Sequence, residues 1–184
     1  RFDQDLLDGF RAVASGNDAD SRILYIEGRV LERAGRALEA AEKLTAIWSM
    51  GGVRLEVAIH LARSLRAAGE AVLAENGLRA AFNAGLKEEA ALWDLWAALN
   101  LADLHRTPAE ALAVFPKGDF GQWGQDVRWL FERLEAGEAI RIHCGGDDYE
   151  ARDGALWGRD RFYYGGRFFK DGAEDFQGDI AGTE

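Results

Sequence analysis

The sequence predicts a mainly α-helical chain that passes, near its end, into a short stretch of β structure. Three observations carry this. Apolar residues recur at spacings of three and four through most of the chain. A set of positions repeats after 34 residues. The composition then changes at residues 140–146, reading Ile-Arg-Ile-His-Cys-Gly-Gly, beyond which glycine and aromatic residues crowd together and helical patterning stops.

The 184 residues are 48% hydrophobic and 29% charged, enough to bury one good core or two small ones. The formal charge of −10 argues against a nucleic-acid or anionic-membrane partner, because phosphate binding depends on clustered cations. The acidity is general, with 6 basic and 10 acidic residues within 139–184 alone. No apolar run approaches the 18 or more residues of a membrane-spanning helix. Cys144 is the only cysteine, so neither a disulfide framework nor a thiolate zinc site is expected. The chain starts at Arg1 within a helical pattern, as expected of a segment cut from something longer, and compartment stays open with a slight lean outside the cytoplasm.

Taken in order, Phe2, Leu6, Leu7, Phe10 and Val13 share one face of a helix ending near Gly16 and Asn17. A polar break precedes the next helix, over about 21–34, with Leu24, Gly28 and Leu31 inward. Here the repeat begins: Leu31, Gly35, Ala40 and Leu44 correspond to Leu65, Gly69, Ala74 and Leu78, and Gly28 to Ala62. Each position has a physical reason. Small residues allow close helix crossing, the glycines end a helix with a left-handed turn, and the alanines let the next helix pack back. A third copy keeps Leu92, Trp96 and Leu99 but has Asp103 for the glycine and Pro108 for the alanine. Thr107-Pro108-Ala109-Glu110 instead reads as a new helix start with a capping box, running to about Phe115. A last helix over 122–134 turns Trp123, Val127, Leu130, Phe131 and Leu134 inward. Ile140 and Ile142, alternating about Arg141, then predict the first strand.

A 34-residue period built as helix, turn, helix resembles the tetratricopeptide repeat (TPR). The tail resembles another family. The order Cys-Gly-Gly, Asp153-Gly154, Leu156-Trp157, Asp160, Tyr163-Tyr164, Gly165-Gly166 and Asp179-Ile180-Ala181-Gly182-Thr183 is similar to the opening of a malectin domain, although His143 stands where that family has asparagine. The domains expected are thus a TPR-like α-hairpin array over 1–136 and the start of a malectin-like β-sandwich over 137–184, left incomplete at Glu184.

The malectin resemblance implies a carbohydrate-binding module. Rings would stack on pyranose faces and acids or amides would take the hydroxyls. The corresponding residues are Asp160, Tyr163 and Tyr164, of which one tyrosine would face the ligand. The expected function is a non-catalytic adaptor binding a glycan, glucose-containing oligosaccharides first, with a protein or peptide partner on the helices; the alternative is a protein-interaction scaffold whose tail binds nothing. No cofactor is implied. Neither a nucleophile elbow nor a phosphate loop nor a dinucleotide fingerprint occurs, so no catalytic residue is named. His143, Cys144, Asp147 and Asp148 have the chemistry of metal ligands, but adjacent strand residues point to opposite faces. Trp93 and Trp96, three apart on one helix, suit either a concave groove or the core between repeats, the core being the commoner use.

Overall fold

The structure is a computed structural model, and it describes residues 21–50, 53–118 and 120–162. The expected helix over 2–13 lies outside these, as do Tyr163 and Tyr164. The described residues are mainly helical, with one small two-stranded sheet. The chain divides into two compact units, Arg1–Glu138 and Ala139–Glu184.

In the first unit, α1 (Ser21–Arg33) and α2 (Ala37–Ser49) form one helical hairpin, and α3 (Leu55–Ala67) and α4 (Ala71–Asn83) form a second. Both ends of both helices are displaced by 34 residues from one hairpin to the next. The turn chemistry explains the match. Gly35 and Gly69 have φ of +75° and +82°, and the same two backbone bonds close each helix. The N–H of Arg36 donates to Leu31 O at 2.9 Å and that of Gly35 to Glu32 O at 3.1 Å. Glu70 and Gly69 repeat the pair on Leu65 O and Arg66 O at 2.8 and 3.0 Å. This arrangement satisfies carbonyls that a helix end would leave bare, and it needs a left-handed residue.

Two substitutions separate this backbone requirement from helix propensity. A Cβ at Gly69 meets nothing within 4 Å, so Gly69→Ala is expected to cost about 1–2 kcal/mol from conformation alone. Gly77, inside α4 with equally open space, should behave oppositely, Gly77→Ala stabilising by about 1 kcal/mol. Urea unfolding of the two variants checks this, and a shift of the same sign in both would refute it.

Small residues sit where the hairpins close. Gly28 faces Leu44, whose Cγ would be 3.1 Å from an added Cβ, and Ala62 holds the equivalent position while 1% exposed. Ala40, Ala74, Leu44 and Leu78 are fully buried. Between the hairpins, Leu44, Ile47, Val57 and Leu61 form one apolar cluster against Leu24, Tyr25, Trp48 and Leu65.

The third copy departs because Trp96 occupies the place of Gly28 and Ala62. Helix α5 (Ala90–Ala98) runs on into a π-helical turn, Leu99–Asp103, with no glycine to end it. Asp103 instead forms an ion pair with Arg66, Oδ2 to Nε 2.5 Å, and the positive φ falls on His105, at +51°. Helix α6 (Pro108–Ala113) starts as expected: Glu110 N donates to Thr107 Oγ1 at 3.3 Å and Thr107 N to Glu110 Oε2 at 2.8 Å. It ends at Ala113, short of the expected Phe115, which is nonetheless buried. Helix α7 (Gly121–Glu135) crosses Trp93 closely, since a Cβ on Gly124 would lie 2.6 Å from Trp93 Cζ2.

Two expectations are corrected here. Leu134 does not face inward; it lies in the last turn of α7 and is 38% exposed. The strand over 140–142 shrinks to a single parallel bridge between Ile142 and Gly158, with His143 N donating to Gly158 O at 2.7 Å and Gly158 N to Arg141 O at 2.9 Å. In the second unit the paired strands are β1 (Tyr149–Glu150) and β2 (Leu156–Trp157), antiparallel, with Tyr149 opposite Trp157. Their loop is pinned by Asp153, whose carboxylate accepts from Ala155 N at 3.0 Å, and by Gly154 N donating to Ala151 O at 2.9 Å.

Candidate functional site

The expected glycan site is described in part. Asp160 follows β2 and is half-buried, and its backbone N–H donates to Gly146 O at 3.0 Å. Tyr163 and Tyr164 lie outside the described residues, so the three are not brought together here. The hairpin itself presents aromatic residues that the sequence reading passed over. Tyr149 and Trp157 face each other across the strands, ring centroids 5.8 Å apart and planes 13° from parallel. His143 packs edge-on against Tyr149 at 4.9 Å. Tyr149 remains 43% exposed. Opposed positions on an antiparallel pair place two rings on one face, and the signal was their equal distance, four residues, from Asp153 in the turn.

Acidic side chains hold the hairpin's flank. Asp148 Oδ1 accepts from Arg159 N at 2.6 Å and from Arg161 Nη2 at 3.3 Å. The bond from the Arg159 amide chiefly lowers the Asp148 carboxyl below its ordinary range, and the charge of Arg161 adds to it. Asp148 is therefore engaged by arginine. His143 Nδ1 lies 3.3 Å from the Asp147 carbonyl, and Cys144 is exposed. Among the described residues no group of three or more His, Cys, Asp or Glu could hold a metal ion.

The helical unit contains a polar cluster between α1 and α3. Arg29 Nη1 lies 2.5 Å from His60 Nε2, and His60 Nδ1 lies 3.0 Å from Glu32 Oε2. A guanidinium can only donate, so Nε2 accepts and the proton sits on Nδ1, directed at Glu32. Arg29 Nε also forms an ion pair with Glu32 Oε2 at 3.0 Å, without hydrogen-bond geometry, and Nη1 donates to the Tyr25 hydroxyl at 3.3 Å. His60 is thus a neutral imidazole fixed in one tautomer. Burial lowers its pKa below 6.5, the bond and charge of Glu32 opposing and the nearby charges of Arg29 and Arg63 assisting.

This has a pH consequence. The unfolded chain takes up a proton near 6.5 while the folded protein resists it, so stability contributed here is present above 6.5 and lost as pH falls through that value toward the lower folded pKa. Unfolding free energy measured from pH 7.5 to 5.5 should therefore decline in the native protein and decline less in His60→Gln. Equal slopes would show that His60 does not carry the effect.

Trp93 and Trp96 are fully buried, which removes the groove-lining option for both. Trp93 stacks on Phe82 at 4.2 Å and on Phe115 at 5.3 Å, and its Nε1–H donates to Lys87 O at 2.7 Å. Among the described residues no helix is long and apolar enough to cross a membrane.

Compared with known proteins, no family model, curated protein or solved structure matches this chain. The class of protein defined by the fold is therefore stated from the structure itself: a mainly helical unit of paired helices, followed by a unit whose described part is a short aromatic hairpin.

Proposed function

We propose that the chain is a non-catalytic adaptor, in which a TPR-like helical array holds a protein or peptide partner and a malectin-like segment binds a glycan. The observation that carries the first half is the 34-residue displacement of both helices of a hairpin, together with the left-handed glycine closing each first helix. Repeats of this kind build extended surfaces and need no reactive residue. The glycan half rests on the resemblance of the tail and is supported by the Tyr149 and Trp157 rings, whose apolar faces suit the axial hydrogens of a pyranose. Asp160, Tyr163 and Tyr164 complete the proposed site.

The experiment is a titration of the protein with maltose, cellobiose and an oligosaccharide panel, followed by tryptophan fluorescence. Saturable binding to at least one glycan is expected, lost in Tyr149→Ala and in the double variant Tyr163→Ala, Tyr164→Ala. A folded protein that binds none of them would remove the glycan half. The second reading, a protein-interaction scaffold with a ligand-free tail, would then lead. Leu38 and Val72 favour it, being 34 residues apart on α2 and α4 and 56% and 58% exposed, an apolar position that repeats on the surface.

A further inference from the structure

His60 stands on α3 among side chains of α1, and its contacts require it to be uncharged. Nε2 accepts from Arg29 Nη1, 2.5 Å away, only while it keeps its lone pair, and Nδ1 directs the single ring proton toward Glu32 Oε1 at 3.3 Å. Arg29 is in turn held at three points, by His60, by the Tyr25 hydroxyl at 3.3 Å and by its ion pair with Glu32 at 3.0 Å. Two links therefore join α1 to α3 here, Arg29 to His60 and Glu32 to His60.

Proton uptake acts oppositely on the two links. A proton on Nε2 turns that nitrogen into a donor and sets an imidazolium against a guanidinium, so the Arg29 link is lost. The Glu32 link is strengthened, because a neutral donor facing a carboxylate becomes a charged one. Reach decides which side chain moves. That of His60 is 12% exposed and held by Glu32, whereas that of Arg29 is 32% exposed and long enough to turn its charged end into water. Arg63, exposed and three residues further along α3, acts on the ring by its charge and adds to the repulsion. The titratable and charged groups facing His60 are thus Tyr25, Arg29 and Glu32 of α1 and Arg63 of α3; among the described residues, no charged group of α2, α4 or α5 acts on it.

We propose that His60 is a proton-operated switch that sets the position of the Arg29 side chain. With the ring neutral, Arg29 lies across α1 and α3, bonded to His60 and Tyr25. With the ring protonated, α1 and α3 stay joined through Glu32 and His60, while the guanidinium of Arg29 turns outward and adds a second exposed cation to the surface that carries Arg63. The loss of stability in acid needs only that the charged ring be costly to bury; the switch requires in addition that Arg29 change partners. It does not depend on the adaptor reading.

The test is side-chain nitrogen NMR of the folded protein between pH 8 and pH 5, with backbone amide spectra recorded alongside to show that the fold persists. At pH 8 the His60 ring should be the Nδ1–H tautomer. As pH falls, the ring nitrogens and the Arg29 Nε–H signal should move together, with one midpoint below 6.5. In His60→Gln, whose side-chain oxygen can still accept from Arg29 but takes up no proton, the Arg29 response should disappear. Arg29→Met removes a donor that needs the neutral ring and should raise the His60 midpoint; Glu32→Gln removes the carboxylate that favours the charged ring and should lower it. An Nε2–H ring at pH 8, an Arg29 signal that stays still through the His60 midpoint, or an Arg29 response that persists in His60→Gln would each overturn the proposal.

Discussion

Trp93→Ala is expected to lower the unfolding free energy by roughly 3–5 kcal/mol, the upper range for truncating a buried aromatic. Trp93 is fully buried and serves as the meeting point of three segments. It stacks on Phe82 from α4, faces Trp96 at 6.2 Å within α5, and meets Phe115 and Phe120 between α6 and α7. Truncation leaves a cavity walled by rings that cannot collapse inward without losing their own contacts. It also strands the Lys87 carbonyl. Trp93→Phe keeps much of the stacking and should cost less than half as much, which separates lost volume from any general disturbance of the helix. Urea unfolding followed by circular dichroism measures both. A change below about 1 kcal/mol for Trp93→Ala would mean that this aromatic group is not the core of the helical unit.

Glu75→Ala is expected to cost about 2–3 kcal/mol, somewhat below the range for breaking a fully buried ion pair. The Glu75 side chain is 5% exposed, and its Oε1 accepts from Arg79 Nη2 at 2.9 Å and from Arg106 Nη1 at 2.7 Å. These bonds tie α4 to the loop after the π-helical turn, where Arg106 also reaches Asn100 and Arg79 reaches the Val114 carbonyl. Removing the carboxylate leaves two like charges facing one another. The cost is reduced because the two arginine side chains are 33% and 25% exposed and can turn toward water. Burial pushes the Glu75 carboxyl up, but the bonds from Arg106 and Arg79 outweigh it and hold the pKa below 4.5. The carboxylate's contribution is therefore present above 4.5 and lost as pH falls from there toward the lower folded value. The stability difference between the native protein and Glu75→Gln should shrink over that window. A difference that stays constant from pH 6 to 3.5 would exclude the ion pairs as its source.

Both effects were hidden from a linear reading for the same reason. Glu75 and Arg106 are 31 residues apart, and in sequence each looks like a solvated helix charge. Trp93 suits the core, its commoner use, or a ligand groove until the positions of Phe82 and Phe115 are known. The helix turns were easier. Gly35 and Gly69 announce themselves because a left-handed residue is needed within a few positions of a helix end, and Thr107-Pro108-Ala109-Glu110 specifies a capping box within four residues. Strand reading fared worse. Ile140 and Ile142 alternate over only three residues, too short a span for pairing to be set locally, and a single bridge to Gly158 results. Leu134 kept helical spacing yet stands on the last turn of α7 and is partly exposed. Of the proposed glycan residues, Asp160 could be placed beside the hairpin, whereas the Tyr149 and Trp157 pair emerged only when strand register set them opposite each other.

By itself, the sequence determined the helical class, the 34-residue displacement of the two hairpins, and the points at which their helices turn. These depend on periodicity, propensity and turn chemistry, which act within a few residues. Tertiary structure alone decided which tryptophans are core, which charges are paired out of water, and which nitrogen of His60 carries the proton. Burial and hydrogen-bond pairing join residues 30 or more positions apart, as Arg29 and His60 are, and no local pattern encodes which partner will be met.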